Sequence, residues 1–91
     1  MEKKSVLRGA AIVVADRGFV YVGNITIEED FCLVERAHNI RRWGTDKGLG
    51  QLALRGPQEN TILDECGTVR IPLRAVINIL DTEAEKWPSL K

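Results

Sequence analysis

A chain of 91 residues has room for one small domain, because single domains span about 50 to 250 residues. Its 13 Lys and Arg residues balance 13 Asp and Glu residues, so the formal net charge is zero. This balance argues against nucleic acid held by bulk positive charge, although it permits a local charged patch. Hydrophobic residues make up 44% of the chain and charged residues 29%, which is typical of a folded domain. We therefore expect one domain over residues 1–91.

The cysteines and the apolar segments indicate a cytoplasmic protein. Two cysteines, Cys32 and Cys66, make no disulfide framework. Cys32 lies in an apolar run and is predicted to be a core residue, whereas Cys66 lies in a predicted turn and is expected to be exposed. The apolar run 10–15 is too short for a membrane helix of about 20 residues or for a signal peptide. The sequence thus predicts reduced thiols, a cytoplasmic location and no membrane partner.

The first part of the chain predicts two β-strands joined by a tight turn. Residues 10–15 and 19–27 are rich in β-branched and aromatic residues. The triplet between them ends in Gly18, which is free to adopt a positive φ in such a turn. Gly23 interrupts the second run, and a glycine inside a strand predicts a bulge or a sharp bend.

A third strand is predicted over residues 31–37. His38 and Asn39 are expected to break it, because Asn tolerates left-handed backbone geometry. Residues 40–43 then form a short fourth strand. No crossover helix fits between these strands, so we expect an antiparallel meander.

The second half is predicted to combine one short helix with two strands. The apolar spacing at 49–55 indicates one or two helical turns, which the Gly-Pro pair at 56–57 ends. Residues 58–67 are polar and predict a loop, which precedes a strand at 68–71. Residues 75–80 are either a strand or a helix, and their β-branched content favours a strand. Both faces of this strand are apolar, which predicts a central strand or a subunit contact.

The residues that follow predict a short helical turn. Thr82 and Glu85 form a capping-box pattern, and Trp87 is expected to pack back on the domain, because one helical turn is not stable alone. The whole pattern predicts a mainly β domain with a short helical insertion: a small SH3-like or Sm-like barrel with a short C-terminal helical turn. An open sheet with one helix across it is the alternative. The thin core also favours a homo-oligomer.

The candidate ligand site lies in the segment 36–47. It concentrates Arg, Lys and His side chains around Trp43, with Asp46 as its one acidic residue. Guanidinium groups bind phosphate through paired hydrogen bonds, and an indole stacks on a base. Glycines let backbone amides approach an anion near the positive end of the following helix. The predicted ligand-binding residues are Asn39, Arg41, Arg42, Trp43, Gly44, Thr45, Lys47 and Gly48.

A second interpretation of this segment is a solvated sheet face. In that case the arginines pair with nearby carboxylates, and Trp43 anchors the core or an interface. Catalysis is not indicated, since the chain has no Walker loop, dinucleotide fingerprint or zinc-ligand set. His38, the one histidine, has no partner at a spacing typical of a nucleophile–base pair. We therefore predict a protein that is not an enzyme and that uses no cofactor and no metal.

Four parts of the chain carry a resemblance to a known family. They are Asn-Ile-Arg-Arg-Trp at 39–43, the glycine-rich segment leading into 52–53, Gly56, and the Val-Ile run ending at 80–84. Over residues 23–87 this pattern resembles a family of small uncharacterised bacteriophage and prophage proteins. Small phage proteins of this kind are often antagonists of host defence, which sequester a nucleotide signal or block a host protein. The resemblance implies a phage or prophage protein that acts in the cytoplasm of a bacterial host.

A second similarity concerns the first half of the chain. Residues 21–25, the acidic turn to Asp30 and residues 31–37 look like the first half of an Sm-like RNA-binding barrel. Leu33 and Val34 stand where that family has an asparagine after the turn, so the base-reading residue is missing. The similarity therefore implies a barrel more than it implies RNA binding.

Three hypotheses for function follow. The first is a non-enzymatic, oligomeric phage protein that captures a small phosphorylated, nucleotide-like ligand. Arg41, Arg42 and Lys47 hold phosphate, Trp43 stacks on a base, and Thr45 with two glycine amides completes the anion site. The second is an interaction module that blocks or scaffolds a host or virion protein. The third is an Sm-like binder of single-stranded RNA, against which the zero net charge argues.

Overall fold

The computed structural model describes the backbone of residues 4–87 and the side chains of residues 10–87 except residue 84. Its main elements are β1 (Lys4–Ala15), β2 (Val20–Glu28), β3 (Phe31–Arg42), α1 (Gly48–Arg55), β4 (Ile62–Pro72) and β5 (Val76–Asp81). Short 3₁₀ turns cover Asp16–Gly18, Leu73–Ala75 and Ala84–Lys86. The strands form one antiparallel sheet in the order β4-β3-β2-β1-β5.

Over residues 4–87 the protein is mainly β with one short helix, as predicted, but the sheet is not closed into a barrel. The SH3-like or Sm-like barrel is therefore wrong, and the open-sheet alternative is the architecture that forms. Closure would require β4 to pair with β5. Pro72 ends β4 without a backbone N–H, and the turn Leu73–Ala75 carries the chain to the opposite edge of the sheet. Both edges consequently lack a partner strand in the described part of the chain.

β1 supplies side chains to two apolar clusters, one on each face of the sheet. Its even-numbered residues pack with α1, and its odd-numbered residues point the other way, which is the period expected of a strand. All five strands contribute side chains to both clusters. The helix-side cluster is Ala10, Ile12, Val20, Val22, Ile40, Leu52, Ala53 and Trp87. The far-side cluster is Ala11, Val13, Ala15, Ile25, Cys32, Val34, Ala37 and Ile71.

β3 contains a β-bulge. Arg36 adopts a φ of 55°, and the register of β3 with both neighbouring strands shifts around it. Gly23 lies opposite the bulge, where a Cβ would stand 2.7 Å from Val34 Cγ1 and 2.8 Å from the Glu35 carbonyl oxygen. The glycine that predicted a bulge or bend thus permits the bulge through its missing side chain.

Two strand boundaries differ from the sequence expectations. β3 runs through His38 and Asn39 to Arg42, so the predicted break and the separate fourth strand are wrong. The bulge accommodates the change of register, and the pairing of β3 with β2 and β4 continues beyond it. β4 begins at Ile62, inside the predicted loop 58–67. β4 is a strand because it pairs with β3 over its whole length, although the residues at its start have weak strand propensities.

Two further expectations near the end of the described chain are corrected. β5 is a strand, as favoured, but it is an edge strand and not a central one, and Ile77 is 63% exposed. The capping box does not form, because the Thr82 hydroxyl donates to the Ala10 carbonyl and Glu85 lies exposed in a 3₁₀ turn. This long-range bond satisfies a polar group of β1 where the predicted local bond would not.

Other local predictions are confirmed. Gly18 has a φ of 81° in the turn after β1, and Gly56 has a φ of 82° directly after α1. Trp87 packs back into the helix-side cluster and is 1% exposed. Cys32 is buried and Cys66 is exposed, both as free thiols. No helix within residues 4–87 is long and apolar enough to cross a membrane.

Candidate functional site

The predicted ligand residues follow the chain from the end of β3 into α1. Asn39, Arg41 and Arg42 lie in the last part of β3. The residues from Trp43 to Lys47 form the connecting loop, and Gly48 is the first residue of α1. These residues therefore lie along one continuous segment of the fold, but their side chains have different interaction partners.

Two of the predicted polar ligands are engaged within the protein. The Asn39 side chain donates from Nδ2 to the Val20 carbonyl at 3.2 Å, across the β2–β3 pair. The Thr45 hydroxyl donates to the Gly48 carbonyl at 2.8 Å, which holds the loop against the first turn of α1. Both bonds stabilise the local backbone. The Thr45 hydroxyl has thereby used its one proton, whereas Asn39 Nδ2 keeps a second N–H.

Arg41 forms an ion pair with Asp64 on β4. Its Nε donates to Oδ2 at 2.7 Å, and its Nη2 lies 3.4 Å from Oδ1. This hydrogen bond, assisted by charge attraction, lowers the pKa of Asp64 and raises the pKa of Arg41. Because the side chains are 62% and 46% exposed, the pair contributes little to stability. Arg41 therefore follows the solvated-face interpretation, with a carboxylate from β4 as its partner.

The loop after β3 presents an aromatic side chain on a fixed backbone. The Trp43 carbonyl accepts a 2.7 Å hydrogen bond from the Thr61 hydroxyl. Gly44 has a φ of 68°, and a Cβ there would stand 2.5 Å from the Thr61 nitrogen. Backbone packing therefore accounts for the glycine at position 44 without an anion-binding role. Trp43 itself is 42% exposed, and the neighbouring Arg42 makes no ion pair with any described residue.

The first turn of α1 lacks the acidic residues that usually complement a helix N-terminus. Lys47 occupies the N-cap position and makes no side-chain cap, and no Asp or Glu lies in the first turn. The Lys47 backbone N–H donates to Gln51 Oε1 at 2.7 Å, so one of the free amides is satisfied by a neutral group. The Lys47 ammonium therefore lies beside the positive end of the helix, and no Asp or Glu in the first turn of α1 offsets this positive charge.

A cleft of about 330 Å³, here called the α1 cleft, opens beside this turn. Its lining residues are Asp46, Lys47, Gln51, Leu54 and Arg55. The sequence predictions included Lys47 alone. The available signal was helical spacing, since Lys47, Gln51 and Arg55 are four residues apart and share one face of α1. Arg42 and Trp43 do not line the cleft; the loop 43–47 connects them to it along the chain.

A second cleft, of about 410 Å³, lies on the β3–β4 pair beside the bulge. Arg36, His38, Glu65 and Thr68 line it, and His38 Nδ1 is buried there without a hydrogen-bond partner in the described part of the chain. Within residues 4–87, no three His, Cys, Asp or Glu side chains are grouped so that they could hold a metal ion. The lining carries both charges and selects no ligand class.

No known protein family matches the sequence, no curated protein is significantly similar to it, and no solved structure significantly resembles the fold.

Proposed function

We propose that the chain is a non-enzymatic binding protein that captures a small phosphorylated, nucleotide-like ligand at the α1 cleft. Lys47 and Arg55 bind the phosphate, and Arg42 adds positive charge beside the cleft. Trp43 offers its half-exposed indole to the base. The site thus keeps part of the predicted segment and replaces Arg41 and Thr45 by residues of α1.

The observation that carries this proposal is the pair of unpartnered cations in one cleft. Lys47 and Arg55 make no ion pair with a described residue, and Asp46 is the one acid among the lining residues. Lys47 lies at the N-terminus of α1, where the helix dipole adds to the positive potential, whereas Arg55 is the last residue of the helix. A phosphate bound between the two side chains gives both cations an anionic partner.

The other lining residues suit the rest of such a ligand. The volume of about 330 Å³ is at the lower end of small-molecule pockets, which run from about 300 to 1,000 Å³. Leu54 is 60% exposed and supplies an apolar wall. Gln51 accepts from the backbone through its oxygen, which leaves its amide nitrogen as a donor. In a phage, as the sequence resemblance implies, such capture would remove a nucleotide signal from the host.

Native mass spectrometry and calorimetry test the proposal. Protein purified from its bacterial host without dialysis should carry a bound small molecule. With ATP as the calorimetric probe, the Lys47→Ala/Arg55→Ala variant should bind about tenfold or more weakly, which is about 1.4 kcal/mol or more. Arg17→Ala/Arg74→Ala is the matched control, because it removes two exposed cations, from the β1–β2 turn and from the turn before β5, that do not line the cleft. Equal binding by both variants would reject the assigned site.

The second candidate is an interaction module, favoured by one observation at the same surface. Trp43 is half-exposed next to Arg42, and Trp and Arg are the residue types that dominate interface hot spots. In this alternative they meet an acidic protein surface. A pull-down from host lysate distinguishes the two, since an interaction module retains a stoichiometric protein and a ligand-binding protein retains a nucleotide.

A further inference from the structure

The α1 cleft contains a carboxylate that the proposed phosphate site does not use. Asp46 lines the cleft together with Lys47 and Arg55. It is exposed, and it makes no ion pair and no hydrogen bond with a residue that the structure describes. A carboxylate repels a phosphate, so Asp46 does not assist the binding of that group. Its two oxygens are therefore available to another part of the ligand.

The other polar side chains of the cleft are mainly hydrogen-bond donors. Lys47 and Arg55 have donors and no acceptor. Gln51 Oε1 accepts from the Lys47 backbone N–H at 2.7 Å, and its Nε2 remains a donor. An ionised carboxylate is an acceptor alone, so Asp46 requires a donor from whatever it binds. The cleft thus suits a ligand that presents an anionic group and, close to it, hydrogen-bond donors.

The position of Asp46 indicates which part of a nucleotide supplies those donors. Asp46 directly precedes Lys47, and the two Cα atoms are therefore about 3.8 Å apart. Both side chains line the cleft, so a group bound by Asp46 lies close to the phosphate bound by Lys47. In a nucleotide the ribose joins the phosphate to the base, and its hydroxyls are donors. Trp43, which is proposed to stack on the base, lies outside the cleft.

A purely structural role for Asp46 would be an interaction with the helix N-terminus. Asp46 precedes the N-cap residue of α1, where a negative charge is favourable. Its carboxylate makes no hydrogen bond to the backbone amides of the helix. Such a role affects the helix and does not distinguish one sugar from another. The two roles therefore differ in how loss of the carboxylate changes the binding of nucleotides with different sugars.

We propose that Asp46 accepts hydrogen bonds from the ribose 2′ and 3′ hydroxyls, so that the α1 cleft selects ribonucleotides over deoxyribonucleotides. This inference rests on the proposed function and adds the sugar to it. A carboxylate has two oxygens and can accept from both hydroxyls. Acidic side chains bind the ribose 2′ hydroxyl in the same way in dinucleotide-binding folds. The cleft volume of about 330 Å³ suits a ribose and a phosphate with the base outside it.

Calorimetry with ATP and 2′,3′-dideoxy-ATP tests the inference. The unmodified chain should bind ATP about tenfold or more tightly, because hydrogen bonds to a charged acceptor are the stronger ones. Asp46→Ala should bind the two nucleotides equally. It should also bind dideoxy-ATP at least as tightly as the unmodified chain does, because it no longer repels the phosphates. Asp16→Ala is the matched control, since it removes an exposed acid that does not line the cleft, and it should keep the preference for ATP.

The outcomes separate this inference from the proposed function. If the unmodified chain binds both nucleotides equally and Lys47→Ala/Arg55→Ala weakens both, the ribose contact is wrong and the phosphate site stands. If Asp46→Ala weakens both nucleotides by the same factor, its role is structural and the inference is overturned. A preference for ATP that persists in Asp46→Ala assigns the ribose to another residue and also overturns it. If the unmodified chain binds neither nucleotide, the inference and the proposed function are both rejected.

Discussion

Replacing Trp87 by alanine should remove a large part of the stability of this domain. The indole is 1% exposed in the helix-side cluster, and its Nε1 donates to the Ala53 carbonyl at 3.2 Å. Substitution of a buried Trp or Phe by Ala costs about 3–5 kcal/mol. A chain of 91 residues has a total stability of about 5–14 kcal/mol at the usual 0.05–0.15 kcal/mol per residue. The melting temperature should therefore fall by on the order of 20 °C.

A series of variants separates packing from hydrogen bonding at this position. Trp87→Phe loses the indole N–H, but the Ala53 carbonyl keeps a second donor, the Glu83 backbone N–H at 3.1 Å. The cost of this variant should therefore be only about 1–2 kcal/mol. Trp43→Ala is the matched control, because Trp43 is 42% exposed, and it should cost about 1 kcal/mol or less.

Urea denaturation followed by circular dichroism measures all three variants on one scale. The Trp43→Ala chain also leaves Trp87 as its single tryptophan, so fluorescence then reports on the helix-side cluster alone. A loss below about 1 kcal/mol for Trp87→Ala, or losses equal to those of Trp43→Ala, would refute the assignment of Trp87 to the core.

Three further predictions concern backbone, charge and thiol chemistry. Gly44→Ala should destabilise the chain by about 2 kcal/mol or more, because the φ of 68° is strained for alanine and the added Cβ would clash with nearby backbone atoms. Gly50→Ala is the comparison, because a Cβ there meets open space in α1. It should stabilise the chain by up to about 1 kcal/mol in the same urea assay. Asp64 has a lowered pKa, so its contribution to stability is present at neutral pH and is lost as the pH falls through that pKa. Arg41→Gln should raise the pKa again in a carboxyl NMR titration, and an unchanged pKa would contradict the ion pair. Cys66 should react quickly with a thiol reagent, while the buried thiol of β3, whose pKa burial raises, should react on unfolding alone.

Local backbone features were the most predictable part of this fold. The turn ending at Gly18, the end of α1 at Gly56 and the bulge opposite Gly23 all follow from glycine's freedom or its missing side chain. The strand at Val76–Asp81 follows from β-branched content. These signals lie within a few residues of the features that they predict.

The unpredicted features depend on residues far apart in the sequence. β4 is a strand through Asp64 and Glu65 because β3 pairs with it, and no local propensity indicates this. Whether a five-stranded sheet closes depends on the pairing of its edges, which the meander pattern does not determine. The sequence predicts Arg41 as a phosphate ligand, because its ion-pair partner Asp64 lies 23 residues further along the chain and no local pattern indicates the pairing. Arg55, which lines the α1 cleft, lies at the end of α1, eight residues beyond the charge-rich segment 36–47.

The attachment of α1 to the sheet has a consequence for the order in which the chain acquires its structure. The Ala53 carbonyl accepts from both Glu83 and Trp87, and Thr82 donates to the Ala10 carbonyl from 72 positions away. During synthesis β1, β2 and β3 can pair before α1 is fixed in place, because Thr82, Glu83 and Trp87 have not yet left the ribosome. Contacts with such large sequence separation slow folding and delay its completion. A nascent chain stalled before Thr82 emerges should therefore expose the apolar face of α1, and it offers chaperones a target that the finished protein does not.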